Sequence, residues 1–262
     1  MSFAQTVLLG AIAGFTIYLG LPVGRIKGLS EKTRSFLSMI SAGILLFLFI
    51  DIFEQLSAPI EEALNQRSFV EFAWLLAIFI GGFAAGLLGL IGFEKGFVRS
   101  RTAVPGQALA PLSPVRLALM IAIGIGLHNF SEGLAIGQSA GRGAIGLAAI
   151  LIIGFGLHNA TEGFGIVGPL MGSEQPTWKF LGLAGLIGGG PTFLGTILGY
   201  FFISDAMSVL FLSLAAGALV YIVGELFHVN RRPGTKFQAG WGLLLGFLFA
   251  FLTDLVLVAA GI

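Results

Sequence analysis

Ile-Gly-Ile-Gly-Leu-His-Asn-Phe-Ser-Glu-Gly-Leu-Ala-Ile-Gly at 123–137 recurs as Ile-Gly-Phe-Gly-Leu-His-Asn-Ala-Thr-Glu-Gly-Phe-Gly-Ile-Val at 153–167, with nine of fifteen positions identical at an offset of 30. The two copies lie in apolar runs, 114–140 and 143–170, each long enough to cross a bilayer, which takes a helix of about 20 residues. Each copy has the form His-Asn-x-Ser/Thr-Glu-Gly. On a helix this places His128 with Glu132, and His158 with Glu162, at i and i+4 on one face, where both side chains reach one ion. The short Gly141, Arg142, Gly143 connection predicts an antiparallel hairpin. With a turn centred near residue 145, His128 comes level with Glu162 and Glu132 with His158. Two imidazoles and two carboxylates then share one locus.

Outward from this hairpin the composition is that of a membrane protein. Hydrophobic residues make up 56% of the 262 and charged residues only 10%, where a soluble domain needs about 25% charged to wet its surface. The apolar runs predict an all-α integral membrane protein with eight transmembrane helices at about 3–21, 34–56, 70–93, 114–140, 143–170, 178–203, 206–228 and 238–261, one transmembrane domain over 1–262. The N-terminus enters an apolar run at Phe3 with no basic region before it and reads as the first span, not a signal peptide. Breaks fall at Pro22 and Gly24, at Pro59, Glu61 and Glu62, at Pro105, Pro111 and Pro114, at Pro176, and from Arg231 to Gly234; Ser204 and Asp205 mark the weakest. Glycines such as Gly81, Gly82, Gly86 and Gly89 permit close helix approach. The run from Gly188 to Pro191 is expected to loosen or kink the sixth span.

Basic residues set the orientation. The loops after spans 1, 3, 5 and 7 hold Arg25, Lys27, Lys32, Arg34, Lys95, Arg99, Arg101, Arg116, Lys179, Arg231, Arg232 and Lys236, whereas the others hold Arg67 and Arg142. The positive-inside rule makes the first set cytoplasmic and both termini extracytoplasmic. The long loop 94–113 is then cytoplasmic, and its small residues and prolines read as mobile. A formal charge of +1 offers no field for nucleic acid.

Ionisable groups within spans cost at least about 2.5–3.5 kcal/mol on insertion scales, which makes each a functional candidate. Besides the four repeat residues these are Asp51 and Glu225, with Glu54, His228 and Asp254 nearer span ends. Asp51 and Glu54, toward the extracytoplasmic end of span 2, would gather cations or simply be solvated at the interface. Glu225 and His228, in Gly-Glu-Leu-Phe-His beside Arg231 and Arg232, form an exit relay or a local ion pair. Asn129 and Asn159 either bond between helices or touch metal; Ser131 and Thr161 are expected to bond back to their own helix carbonyls. The chain has no Cys, which excludes disulfides and thiolate sites. Imidazole with carboxylate suits Zn(II), Fe(II), Mn(II) or Co(II) and disfavours Cu(I).

The motifs His128-Asn129-Phe130-Ser131-Glu132-Gly133 and His158-Asn159-Ala160-Thr161-Glu162-Gly163 resemble those of spans 4 and 5 in the ZIP (Zrt/Irt-like) family of divalent metal transporters, most nearly its prokaryotic GufA-like branch. The resemblance extends over nearly the whole chain. It implies a transport site with His128, Glu132, His158 and Glu162 as ligands, passage of Zn, Fe(II), Mn, Cd or Co as substrate rather than cofactor into the cytoplasm, elevator-like alternating access, a homodimer, and residence in the inner (cytoplasmic) membrane of a prokaryote. Relatives with a binuclear site carry a further Glu in span 6, where this sequence reads Gly185-Leu186-Ile187-Gly188, and can be acidic at the position of Asn159. One principal ion is therefore expected. Relatives commonly have His where Asp51 aligns, which implies a harder entrance here.

Two other classes compete. A membrane-embedded metalloenzyme would activate water on the bound ion, but neither motif is His-Glu-x-x-His. A proton-linked carrier of an organic solute would use the His/Glu pairs as relays without metal, and retention of metal separates it from a metal transporter.

Overall fold

Hydroxyl side chains punctuate the apolar chain. Ser2 and Gln5 close a reciprocal capping box, and Ser30, Thr177 and Ser204 each accept a hydrogen bond from the backbone N–H three residues on, satisfying donors that a helix start leaves open. The computed structural model describes residues 2–93, 113–141, 143, 145–172, 175–202, 204–230 and 233–259. Among these the helices are α1 Phe3–Phe15, α2 Glu31–Asn65, α3 Phe69–Phe93, α4 Pro114–Gly141, α5 Ile145–Val167, α6 Trp178–Phe201, α7 Asp205–Val229 and α8 Lys236–Ala259. Seven, with α1 counted together with the turns after it, are long and apolar enough to cross a membrane. Large apolar side chains face outward, as at Leu8, Val70, Trp178 and Phe237, while polar Asn129, Asn159 and Glu162 are sealed inside. That inverted arrangement is what a hydrocarbon solvent favours, and the chain is an all-α integral membrane protein. The loop read at 94–113, apart from Ser113, lies outside the described residues, as do Arg142, Arg231 and Arg232.

Two segments depart from the sequence reading, and a third, the sixth helix, keeps to the single span read for it. The first span does not stay α-helical to residue 21: it passes into 3-10 turns at Thr16–Leu19 and Leu21–Arg25, Thr16 spending its hydroxyl on the Ala13 carbonyl at 2.6 Å. Gly20 lies against Ala160 and Phe164 of α5, with no room for a side chain, so neighbouring backbone shapes this stretch. The second helix runs on to Asn65 through Pro59. Its last turns are amphipathic, with Ile60 and Ala63 buried and Glu61, Glu62 and Asn65 exposed, and Gln66 donates to Glu62, so the helix continues beyond the apolar run with one face still packed. The sixth helix is unbroken through Pro191. Proline supplies no N–H to Ile187, and the Ile187 carbonyl faces Gly126 of α4, where a Cβ would collide with it.

Two sets of helices pack differently inside than against each other. In α1, α4, α5 and α6 glycine meets backbone: Gly14 faces the Gly189 carbonyl, Gly163 that of Ile17, Gly133 that of Thr192, and Gly195 that of Phe130. In the second set, Gly43 and Gly246 join α2 to α8, and Gly86 and Gly217 join α3 to α7, in the same manner. Between the sets glycine meets mainly side chains: Gly124 of α4 lies 2.9 Å, measured from an added Cβ, from Ile222 Cδ1 of α7, Gly165 of α5 lies 4.0 Å from Ile44 Cγ2 of α2, and Gly168 after α5 lies against the Ser41 side chain and, at 3.5 Å, the Leu37 carbonyl of α2. Arg34 of α2 reaches across to the Gly172 carbonyl after α5 at 3.2 Å.

The glycines differ in what they permit. A Cβ on Gly81 of α3 meets nothing within 4 Å, so Gly81→Ala is expected to keep or raise the thermal midpoint in detergent, alanine favouring a helix by about 0.5–1 kcal/mol. A clear drop would mean that this face of α3 is already covered.

Candidate metal centre

The two repeat copies occupy α4 and α5, joined through Gly143, whose φ of +79° suits glycine. His128 and Glu132 stand one turn apart on α4, and His158 and Glu162 one turn apart on α5. His128 Nε2 lies 3.4 Å from Glu132 Oε1 and His158 Nε2 lies 3.6 Å from Glu162 Oε1. The imidazole centroids are 6.1 Å apart. His128, Glu132 and His158 each offer a ligand atom, and these atoms lie within 4.8 Å of one another. The four residues are 1%, 3%, 4% and 0% exposed, so the cluster is closed to solvent.

Glu162 lies beside this trio and is held by Asn129, whose Nδ2 donates to Glu162 Oε2 at 3.0 Å. In the reverse direction Asn159 Nδ2 donates to Glu132 Oε2 at 3.3 Å. Asn129 Nδ2 also donates to Asn159 Oδ1 and, at 3.0 Å, to the Gly188 carbonyl of α6. The sequence reading put His128 level with Glu162; in the fold it is Asn129 that bonds Glu162, one residue along. Both asparagines thus bond between helices. Thr161 bonds back to the His158 carbonyl at 2.7 Å as expected, whereas Ser131 Oγ is buried without a hydrogen-bond partner among the described residues. Nδ1 of both histidines and Oε1 of Glu162 also lack such a partner. A divalent cation accepts electron pairs from atoms of this kind.

Asp51 is closer to the cluster than its segment implied. Because α2 extends to Asn65, Asp51 stands well short of its end, half-buried, and its charge interacts with His128, Glu132 and Glu162. Gln55 donates to it at 2.8 Å. Glu54 is exposed, and it shares an electrostatic neighbourhood with Asp51 and Asp254 of α8. Glu225 is half-buried and His228 exposed on the last turns of α7, where Asn230 bonds Ser38 of α2 at 3.0 Å. Neither joins the cluster of mutually close ligand atoms. What sequence reasoning missed is the Gly188 carbonyl, since a backbone oxygen leaves no mark in a residue pattern.

The model of the family described as ZIP Zinc transporter matches residues 102–255, a stretch that holds both motif copies. Zinc transporter ZupT of Streptococcus mutans serotype c is 31% identical over 263 residues, covering 96% of this chain and 97% of its own. Zinc transporter ZupT of Shigella dysenteriae serotype 1 is 29% identical over 270 residues, covering 98% and 97%. The protein of the same name in Salmonella newport is 27% identical over 274 residues, covering 98% of each.

Proposed function

Because the chain belongs to the ZIP family of zinc transporters, which are transporters and not enzymes, we propose that it carries zinc, and ions of the Fe(II), Mn(II), Cd(II) and Co(II) class, across the membrane at a site made by His128, Glu132, His158 and Glu162. The observation that carries this reading is the buried meeting of His128, Glu132 and His158 ligand atoms within 4.8 Å. An ion stripped of water inside a bilayer must be neutralised and fully coordinated. Two carboxylates balance a divalent charge and two imidazoles supply neutral nitrogen, so the loaded site carries no net charge through the barrier. The metal is substrate here, and the chemistry needs no cofactor.

In this reading residues 1–262 form one transmembrane unit of eight spans with both termini extracytoplasmic, in the inner membrane, as a homodimer. Asp51 and Glu54 collect cations on the extracytoplasmic side; Glu225 and His228 receive them on the cytoplasmic side, and net movement is inward. The set α1, α4, α5 and α6 carries the ligands and moves against the other set in alternating access. Glycine-to-backbone contacts closer than 3 Å within the sets, with looser backbone approach between them, support such a sliding plane. Since the chain has no Cys, single cysteines report sidedness directly: a cysteine at Arg67 is expected to label from outside and one at Gly234 from within.

Asp51→Asn is expected to raise KM for zinc about two- to tenfold with kcat little changed, because its charge concentrates the ion but does not ligate it. An unchanged KM would remove Asp51 from the entrance. The function itself is tested by reconstituting the protein in liposomes and following Zn(II), Fe(II), Mn(II) and Cd(II) uptake. Saturable uptake of zinc is expected. No uptake of any ion, with none bound to folded protein, would return the cluster to a proton relay or helix packing.

A further inference from the structure

The two carboxylates of the centre are each divided in the same way. In each, Oε1 points to the imidazole of its own helix, at 3.4 Å for Glu132 and 3.6 Å for Glu162. In each, Oε2 accepts an N–H from the asparagine of the facing helix, at 3.3 Å for Glu132 and 3.0 Å for Glu162. The centre thus has an imidazole layer and an amide layer, with the carboxylates spanning both. The direction of the amides follows from their surroundings. Asn129 Nδ2 faces the Asn159 and Glu162 side-chain oxygens and the Gly188 carbonyl, all acceptors, so a reversed amide would set oxygen against oxygen.

Building on the metal-transport reading of this site, we infer that Asn129 and Asn159 are positioning residues that fix the coordination number of the transported ion, and with it the preference for zinc. A carboxylate oxygen that already holds an N–H offers the metal a weaker electron pair, so each Glu presents one oxygen instead of chelating with two. The ion then meets two imidazole nitrogens and two single carboxylate oxygens. Four such donors satisfy zinc, which is tetrahedral in most protein sites. Mn(II) favours six donors rich in oxygen, and here the extra oxygens are tied up by amides while the burial of all four residues keeps replacement water out. The Gly188 carbonyl braces Asn129 from α6, so a third helix holds the amide layer in place.

The test uses the purified full chain in detergent with Co(II) as a spectroscopic stand-in and Zn(II) against Mn(II) in competition. Wild type is expected to give the intense visible bands of four-coordinate Co(II). Asn129→Leu and Asn159→Leu remove the donors at similar volume; each is expected to weaken zinc binding about 10- to 100-fold, the usual effect of losing a partner that orients a ligand. Both should also dim the Co(II) bands toward higher coordination and narrow the zinc-over-manganese ratio. If neither leucine variant folds, Asn129→Ala and Asn159→Ala remove the donors without adding bulk or a new ligand and are expected to dim the bands likewise. Six-coordinate Co(II) in wild type would overturn the inference. So would variants whose bands and metal ratio match wild type while His158→Ala abolishes binding. Wild type that binds no metal, or His158→Ala that binds as tightly, would overturn the transport reading beneath it.

Discussion

Zinc uptake by liposomes carrying Glu132→Ala is expected to fall at least about 100-fold below wild type while the protein stays folded. In the proposed site Glu132 supplies half of the negative charge that balances the ion, in a cluster 0–4% exposed, and its ligand atom lies within 4.8 Å of those of both histidines. Removing one partner of a buried charge pair costs about 3–5 kcal/mol, or two to three and a half decades. The alanine also leaves the Asn159 N–H without its acceptor. His158→Ala is expected to be nearly as severe. Both are read from initial rates of zinc entry, with thermal unfolding as the control for folding. More than a tenth of wild-type uptake in Glu132→Ala would place the ion's path elsewhere.

One residue further, Gly133→Val is expected to act through the backbone. A Cβ at Gly133 would overlap the Thr192 carbonyl and crowd Thr196 N of α6, so the helices must separate just where Glu132 and Asn129 take their positions. Overpacking costs about 1–3 kcal/mol where neighbours can yield, and a helix carbonyl yields little. A loss of about 3 kcal/mol would lower the midpoint by roughly 6–12 °C in a chain of this size. Protein that survives should bind zinc weakly because its ligands have moved. A midpoint within about 2 °C of wild type would mean that α4 and α6 separate freely.

The repeated motif was legible because its chemistry is written in side chains: His and Glu one turn apart are costly in an apolar helix, and packing alone does not demand the same polar positions twice. Of the hydroxyls that cap helix starts, Ser30, Thr177 and Ser204, only Ser204 stands out in the sequence as a break, and hydropathy alone begins the second span three residues late. The first segment was not legible. Its passage into 3-10 turns after Phe15 follows from how closely Gly20 meets α5, and that neighbour is some 140 residues away in the chain. At Pro59 hydropathy marked where the apolar run ends, which is not where a helix must end once water can solvate its backbone. At Pro191 the sequence predicts a loosened or kinked helix but not what faces the freed carbonyl, which is Gly126 of α4.

The glycine seams bear on how this chain can change over evolutionary time. At Gly133, Gly163, Gly195, Gly217 and Gly246 even one added carbon overlaps a backbone atom, and no replacement of a neighbouring side chain can make room for it. Where Gly124 and Gly165 meet Ile222 and Ile44, a larger residue on one helix can be offset by a smaller one on the other. Saturation mutagenesis scored by zinc uptake would then draw lines of intolerance along the interior of each helix set. Across the plane between the sets it would find substitutions that succeed in matched pairs, so that surface retains the freedom to be retuned.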